Sequence, residues 1–194
     1  MIGNALELGE FELWCHPHVA AHDGSIASVQ AEVRWRRQDG SFAAPAGIAA
    51  AFAGPATQEL FVLHMVCDAL AALRMWSADG FELDLVLELP LPHAVLDAPA
   101  TRHAIADLLA QAGLPAARLA LHSAAGPGAQ EEGEGAAACC EVSDLLDWLR
   151  ARDASCAHAA GEFIATPQPV HILPATLRRW QASYAVMSAA DAFS

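Results

Sequence analysis

Lysine is absent from this chain, and all 10 basic residues are arginine. Any mechanism that needs a lysine is therefore excluded. No Asp-Asp dipeptide and no CxxC pair occurs. The five cysteines, at positions 15, 67, 139, 140 and 156, are odd in number and scattered. That distribution fits a reducing compartment better than a disulfide framework. Cys139 and Cys140 are adjacent, a poor geometry for a bridge and no metal motif. The N-terminus lacks a basic segment followed by an apolar run, so no signal peptide is indicated. Residues 43–53 are apolar but too short and too broken by Gly and Pro to span a bilayer. Basic charge is also scarce: 23 acidic residues leave a formal net charge of -13. DNA, RNA and anionic membrane surfaces are disfavoured as partners, and a cytoplasmic protein is expected.

What is present is ample apolar material. At 194 residues and 55% hydrophobic, the chain can build one domain with a sizeable core. The stretch 26–37, IASVQAEVRWRR, alternates as a strand. Val29, Ala31, Val33 and Trp35 share one face, and Gln30, Glu32, Arg34 and Arg36 share the other. A strand that buries one face and presents charge on the other is how an α/β barrel builds a site. Before it, residues 11–19 read as a first strand ended by Pro17 and a His22-Asp23-Gly24 turn, which makes an antiparallel hairpin.

Further along, Pro45 opens a short helix. Thr57 caps a longer one over 58–78, with Leu60, Leu63, Leu70, Leu73 and Trp76 at helical spacing. Residues 81–89 alternate again, a helix spans 101–111, and 118–122 form a short strand. These are βα units with a parallel sheet after the hairpin. Residues 124–135, AAGPGAQEEGEG, have no periodicity and read as a flexible linker. A short strand within 136–142, a helix over 144–152 capped by Ser143, a strand over 161–165 and a last helix from Pro174 complete the chain. One domain, 1–194, is expected, with barrel parts 1–123 and 136–194 joined by the linker 124–135.

Gly9-Glu10-Phe11-Glu12-Leu13 leading to His16-Pro17, then Val29-Gln30-Ala31-Glu32-Val33-Arg34-Trp35-Arg36, resembles the opening of bacterial EAL domains. There the corresponding segments read "geFelwyQPiv" and "gvEALlRWrhp". Gly113-Leu114-Pro115 with Arg118-Leu119-Ala120-Leu121 is similar to that family's "hgl.p.rLeLEiTE", and 145–169 to its late segment. The resemblance implies a modified (β/α)8 barrel with one strand reversed by the hairpin. It also implies hydrolysis of cyclic di-GMP, assisted by two divalent ions held by several oxygen ligands.

Carried over position by position, that ligand set is lost. The motif glutamate falls on Gln30 and its leucine on Glu32. The asparagine ligand falls on Glu88, the later glutamate on His122, and the glutamine before the late glycine on Ala160. The paired aspartates and the lysine have no counterpart. The resemblance therefore implies a non-catalytic member, with no catalytic residue, metal or cofactor expected. Arg34 matches the arginine that contacts the dinucleotide phosphate, and Pro167 lies in the segment near the ligand. The plainer reading pairs Arg34 and Arg36 with Glu32 or Glu88. His16, His18, His22 and Cys15 are close in sequence, but His18 and His22 straddle a turn, and no zinc site is expected.

Length is the second departure. A full barrel takes about 250 residues and each βα unit roughly 30. The resemblance implies two to three units between His122 and Glu141 that this chain lacks. The fold class expected is α/β: an incomplete or modified (β/α) TIM-like barrel of five or six strands whose open edges need cover. The functional expectation is an inactive EAL-like regulator that binds another protein, a transcription regulator or signalling protein, in bacterial motility, biofilm or virulence control. The alternative is a non-hydrolysing cyclic di-GMP receptor. The last helix, with Trp180, Tyr184 and Met187, is a candidate docking face.

Overall fold

The computed structural model describes residues 5–6, 8–43, 45–52, 54–91, 93–123 and 139–191. The linker expected over 124–135 lies outside the described residues. Strands β1 (Phe11–Ala20) and β2 (Ile26–Arg36) form the antiparallel hairpin that the alternation predicts. Phe11, Leu13 and Cys15 of β1 are buried with Val29, Ala31 and Val33 of β2. Pro17 does not end β1. It pairs with Val29, and on its other side β1 is bonded only at Trp14–Cys15 and Val19–Ala20. The missing Pro17 N–H falls in the gap between those two short pairings, where the ladder needs no donor.

After the hairpin come β3 (Phe42–Ala43), α1 (Pro45–Ala51), α2 (Pro55–Ala78), β4 (Leu85–Leu89), α3 (His93–Leu96), α4 (Pro99–Ala112) and β5 (Leu119–Ser123). Then follow β6 (Cys139–Glu141), α5 (Leu145–Asp153), β7 (His158–Ala160), β8 (Gln168–Pro169) and α6 (Leu173–Asp191). The sheet runs β5-β4-β2-β1-β7-β6, with β3 on β2 and β8 on β1. The β2–β4, β4–β5 and β6–β7 pairs are parallel. Among the described residues the outer edges of β5 and β6 are unpaired, so the barrel is incomplete. Among the described residues it has eight strands rather than five or six because two of them, β3 and β8, are two-residue pairings too short to show as periodicity.

Helix α2 is the wall behind the sheet. Phe61, Val62, Met65, Val66, Ala69, Leu70, Ala72, Leu73 and Trp76 are buried along it. By length and composition it could cross a membrane, and its burial in this core accounts for that hydropathy. Trp76 Nε1 donates to Val170 O at 3.0 Å and so ties the end of the chain to its first half. A second cluster joins Val19, Val142, Trp148, Ala159 and Trp180. Trp180 Nε1 donates to Gly24 O at 2.8 Å, and the Tyr184 ring lies 5.9 Å from that of Trp148. Trp180, Tyr184 and Met187 therefore pack inward rather than forming a free docking face.

Several boundaries move. Helix α2 starts at Pro55 with Gly54 as its cap, while the Thr57 hydroxyl donates to Gly54 O at 2.7 Å instead of capping. Asp144, not Ser143, caps α5 by accepting from Asp147 N at 2.9 Å. The late strand is His158–Ala160, and the residues after Gly161 turn away. The cysteine expectation is corrected at one pair: Cys140 and Cys156 form a disulfide with Cα atoms 6.3 Å apart. Parallel pairing of β6 with β7 brings them together, which a separation of 16 residues in the sequence does not reveal. Cys15 is buried and free, and Cys67 and Cys139 are exposed and free.

Candidate functional site

The polar positions of β1 and β2 lie on the face opposite the core. Register sets them in rows: Glu12 beside Arg34, Trp14 beside Glu32, and His16 beside Gln30. The second row continues from Glu32 to Glu88 of β4 and His122 of β5. The structure thus gathers Gln30, Glu88 and His122, three of the four positions at which the resemblance implies a ligand of another type. Ala160 belongs to β7, on the far side of β1. Pro167 is exposed just before β8, which pairs with Trp14 and Cys15.

Hydrogen bonds close this surface on itself. Gln30 Nε2 donates to Glu88 Oε1 at 2.6 Å. Arg34 donates to Glu32 Oε1 through Nε at 2.8 Å and Nη2 at 2.6 Å. Its guanidinium stacks 4.1 Å above the Trp14 ring, and the Phe42 ring meets Trp14 edge-on at 5.5 Å. Arg34 pairs with Glu32, as the plainer reading expects. Arg36 turns to Glu12 at 2.6 Å rather than to Glu32 or Glu88. Burial works to raise the Glu12 carboxyl, but hydrogen bonds from Trp14 and Arg36, with the Arg36 and His171 charges, outweigh it and hold the group low. Trp14 and Phe42 are functional candidates that the charged pattern of β2 alone does not single out. The alternation of β1, which puts Glu12, Trp14, His16 and His18 on one face, is the signal that could have found Trp14.

His16 and His18 extend the same face. Their Nε2 atoms lie 3.3 Å apart and their ring centroids 5.2 Å. Burial pushes both rings below the usual imidazole range. His18 falls to about 4, helped by the neighbouring His16 and His158 and opposed by a hydrogen bond with Gln30. Cys15 points to the core, where burial raises its thiol to about 12. His22 is exposed and pairs with Asp23. The four residues weighed for zinc from the sequence are therefore not one cluster.

The sequence profile of the EAL domain family matches residues 1–125. The chain belongs to the EAL domain family. Comparison with curated proteins gives no match. Among solved structures, the fold is similar to that of PaMucR phosphodiesterase in complex with c-di-GMP. The TM-score is 0.69 at 13% identity, over 89% of this chain and 97% of that one. The FimX EAL domain from Pseudomonas aeruginosa, bound to c-di-GMP, gives 0.63 at 12% identity, over 86% and 94%. EAL enzyme Bd1971 in its cGMP-bound form gives 0.67 at 10% identity, over 91% and 68%. The architecture is that of a TIM-like EAL barrel, carried by a short chain.

The divalent pair that EAL chemistry implies does not fit these residues. Hard cations need several oxygen donors converging on one point. Here Gln30 offers a neutral amide oxygen in place of a carboxylate, its NH2 ties up a Glu88 oxygen, and a histidine occupies the next strand position. Among the described residues, no three His, Cys, Asp or Glu side chains gather to hold a metal ion.

Proposed function

We propose that this EAL-family chain is a non-hydrolysing regulatory protein of bacterial cyclic di-GMP-related signalling, acting by binding another protein. The observation that carries the reading is the Gln30–Glu88 hydrogen bond: two positions that would converge on a cation bind each other instead. Protein binding draws support from the open side of the sheet. The outer edge of β5 is unpaired among the described residues. Beside it lies a groove of about 670 Å³ lined by Leu96, Ile105, Leu109, Leu114, Leu119 and Leu121. Unpaired strand edge and apolar groove together are what a partner covers. A transcription regulator or signalling protein is the class of partner expected, in motility, biofilm or virulence control.

A second reading, a non-hydrolysing cyclic di-GMP receptor, is favoured by Arg34 on its Trp14 platform and by the c-di-GMP in the PaMucR and FimX structures. Against it, Glu32 and Glu88 sit directly opposite each other on the same face and repel a phosphate. Incubating the purified chain with cyclic di-GMP and Mg²⁺ or Mn²⁺ tests the first claim, and linear product formed in proportion to enzyme would overturn it. Calorimetry with cyclic di-GMP separates the two readings. Absence of heat supports the protein binder, whereas binding abolished by Arg34→Ala establishes the receptor. Affinity capture from the native cell should recover a stoichiometric partner.

A further inference from the structure

We propose that His16 and His18 form a two-nitrogen chelate for a first-row divalent cation of the zinc, nickel or copper class. The site lies on the polar face of β1, beside the Gln30–Glu88 pair but built from different atoms. The reasoning is geometric. Residues i and i+2 of a strand project from the same face. Here β1 is held on one side by β2, with His16 opposite Gln30 and His18 opposite Ser28. Pro17 between them has its φ fixed by its ring, which limits how far the two imidazoles can swing apart. The result is two Nε2 atoms aimed at one another at 3.3 Å.

That separation is the one a metal would impose. A tetrahedral ion bound at about 2.0–2.1 Å from each of two ring nitrogens holds those nitrogens about 3.3 Å apart. Without an ion, one ring donates its Nε2 proton to the other. Chelation needs both Nε2 lone pairs, so that proton transfers to Nδ1 of the same ring and nothing is oxidised or reduced. Both rings are half-buried, and His158 lies close enough for its charge to act on His18. Water completes the coordination, as two protein nitrogens fill only part of the sphere. Imidazole nitrogen suits zinc, copper and nickel, whereas magnesium and calcium require oxygen. The pair therefore discriminates against the hard ions used in phosphodiester hydrolysis.

From the sequence no zinc site is expected because His18 and His22 straddle a turn. The chelate needs neither His22 nor Cys15. It requires only that β1 run straight through Pro17, which the structure shows.

The test uses the full chain stripped with EDTA and titrated with Zn²⁺, Ni²⁺ or Mg²⁺ chloride in a calorimeter. One equivalent of Zn²⁺ and of Ni²⁺ should bind, with no competition from Mg²⁺. His16→Gln and His18→Gln should each weaken binding roughly tenfold or more, since even an outer-shell change costs that much, whereas exposed His103→Gln should leave it unchanged. Because a half-buried substitution can perturb folding, the wild-type chain loaded with one equivalent of Cu²⁺ supplies an independent readout. Its electron paramagnetic resonance spectrum should show coupling to two imidazole nitrogens. Unchanged binding in both folded variants, equal competition by Mg²⁺, or fewer than two coupled nitrogens would overturn the proposal.

Discussion

Gln30 Nε2 reaches across to Glu88 Oε1 at 2.6 Å, joining residues 58 positions apart in the chain. A charge-assisted bond of this length is stronger than a neutral one, and it links β2 to β4 through side chains as well as backbone. It also relieves Glu88 of facing Glu32 with its charge uncompensated, while Glu32 is offset by Arg34.

Restoring the family glutamate should therefore hurt the fold. In Gln30→Glu the donor is replaced by a second carboxylate pressed against Glu88. The expected loss is about 1–3 kcal/mol, the cost of a broken, partly buried hydrogen bond with added repulsion. Urea unfolding at neutral pH checks it, and the deficit should shrink at acidic pH, where one carboxyl takes a proton. A Gln30→Glu chain as stable as the parent would show that the bond contributes nothing.

Acid should weaken the protein through His18. Its ring titrates at about 4 in the folded chain, against an ordinary 6.5. Between those values the unfolded chain binds the proton more readily. The stability associated with a neutral His18 is thus fully present above about pH 6.5, and it falls as pH drops towards 4. His16 is shifted in the same direction. His18→Gln should flatten the decline of unfolding free energy between pH 7 and 4, and a curve of unchanged slope would remove His18 as its source.

The Cys140–Cys156 bond gives a chemical count. Of five cysteines, 15, 67 and 139 are free. Denatured protein prepared without reductant should take up three alkyl groups by mass spectrometry, and five after reduction. Closing a loop of 16 residues stabilises a chain by about 3 kcal/mol in the entropy account. Reduction, or Cys156→Ser, should lower the unfolding midpoint accordingly, and reductant should do nothing further to the serine variant. Uptake of five groups without reductant would show that the bond is not formed.

Gly161 follows β7 at φ 136°, and a Cβ there would stand 2.3 Å from Val142 O and 2.9 Å from Val142 N. Backbone atoms cannot step aside as a flexible side chain can. Gly161→Ala should cost about 2 kcal/mol or more. Gly40, at φ 82° with open space around it, should lose only about 1 kcal/mol on the same change. Paired thermal melts decide this, and equal shifts would mean that the region around Val142 yields.

Much of this protein is written locally. Alternation along 11–19 and 26–37 determined two strands, their hairpin and which side chains share a face, because side-chain direction in a strand repeats every two residues whatever surrounds it. The order Gly9 to Trp35 carries the resemblance to the family, and that resemblance implies ligand positions at 30, 88, 122 and 160. Short pairings such as β3 and β8 carry no such period, and for the same reason the sequence points to 161–165 where the late strand is His158–Ala160. Tertiary structure alone decided what the marked residues do. That Gln30 bonds Glu88 while Arg36 chooses Glu12 depends on the register between strands, as does the meeting of Cys140 with Cys156. That register is set by α2 and the other helices packing the sheet from behind, a long-range balance of burial that no short stretch of sequence contains.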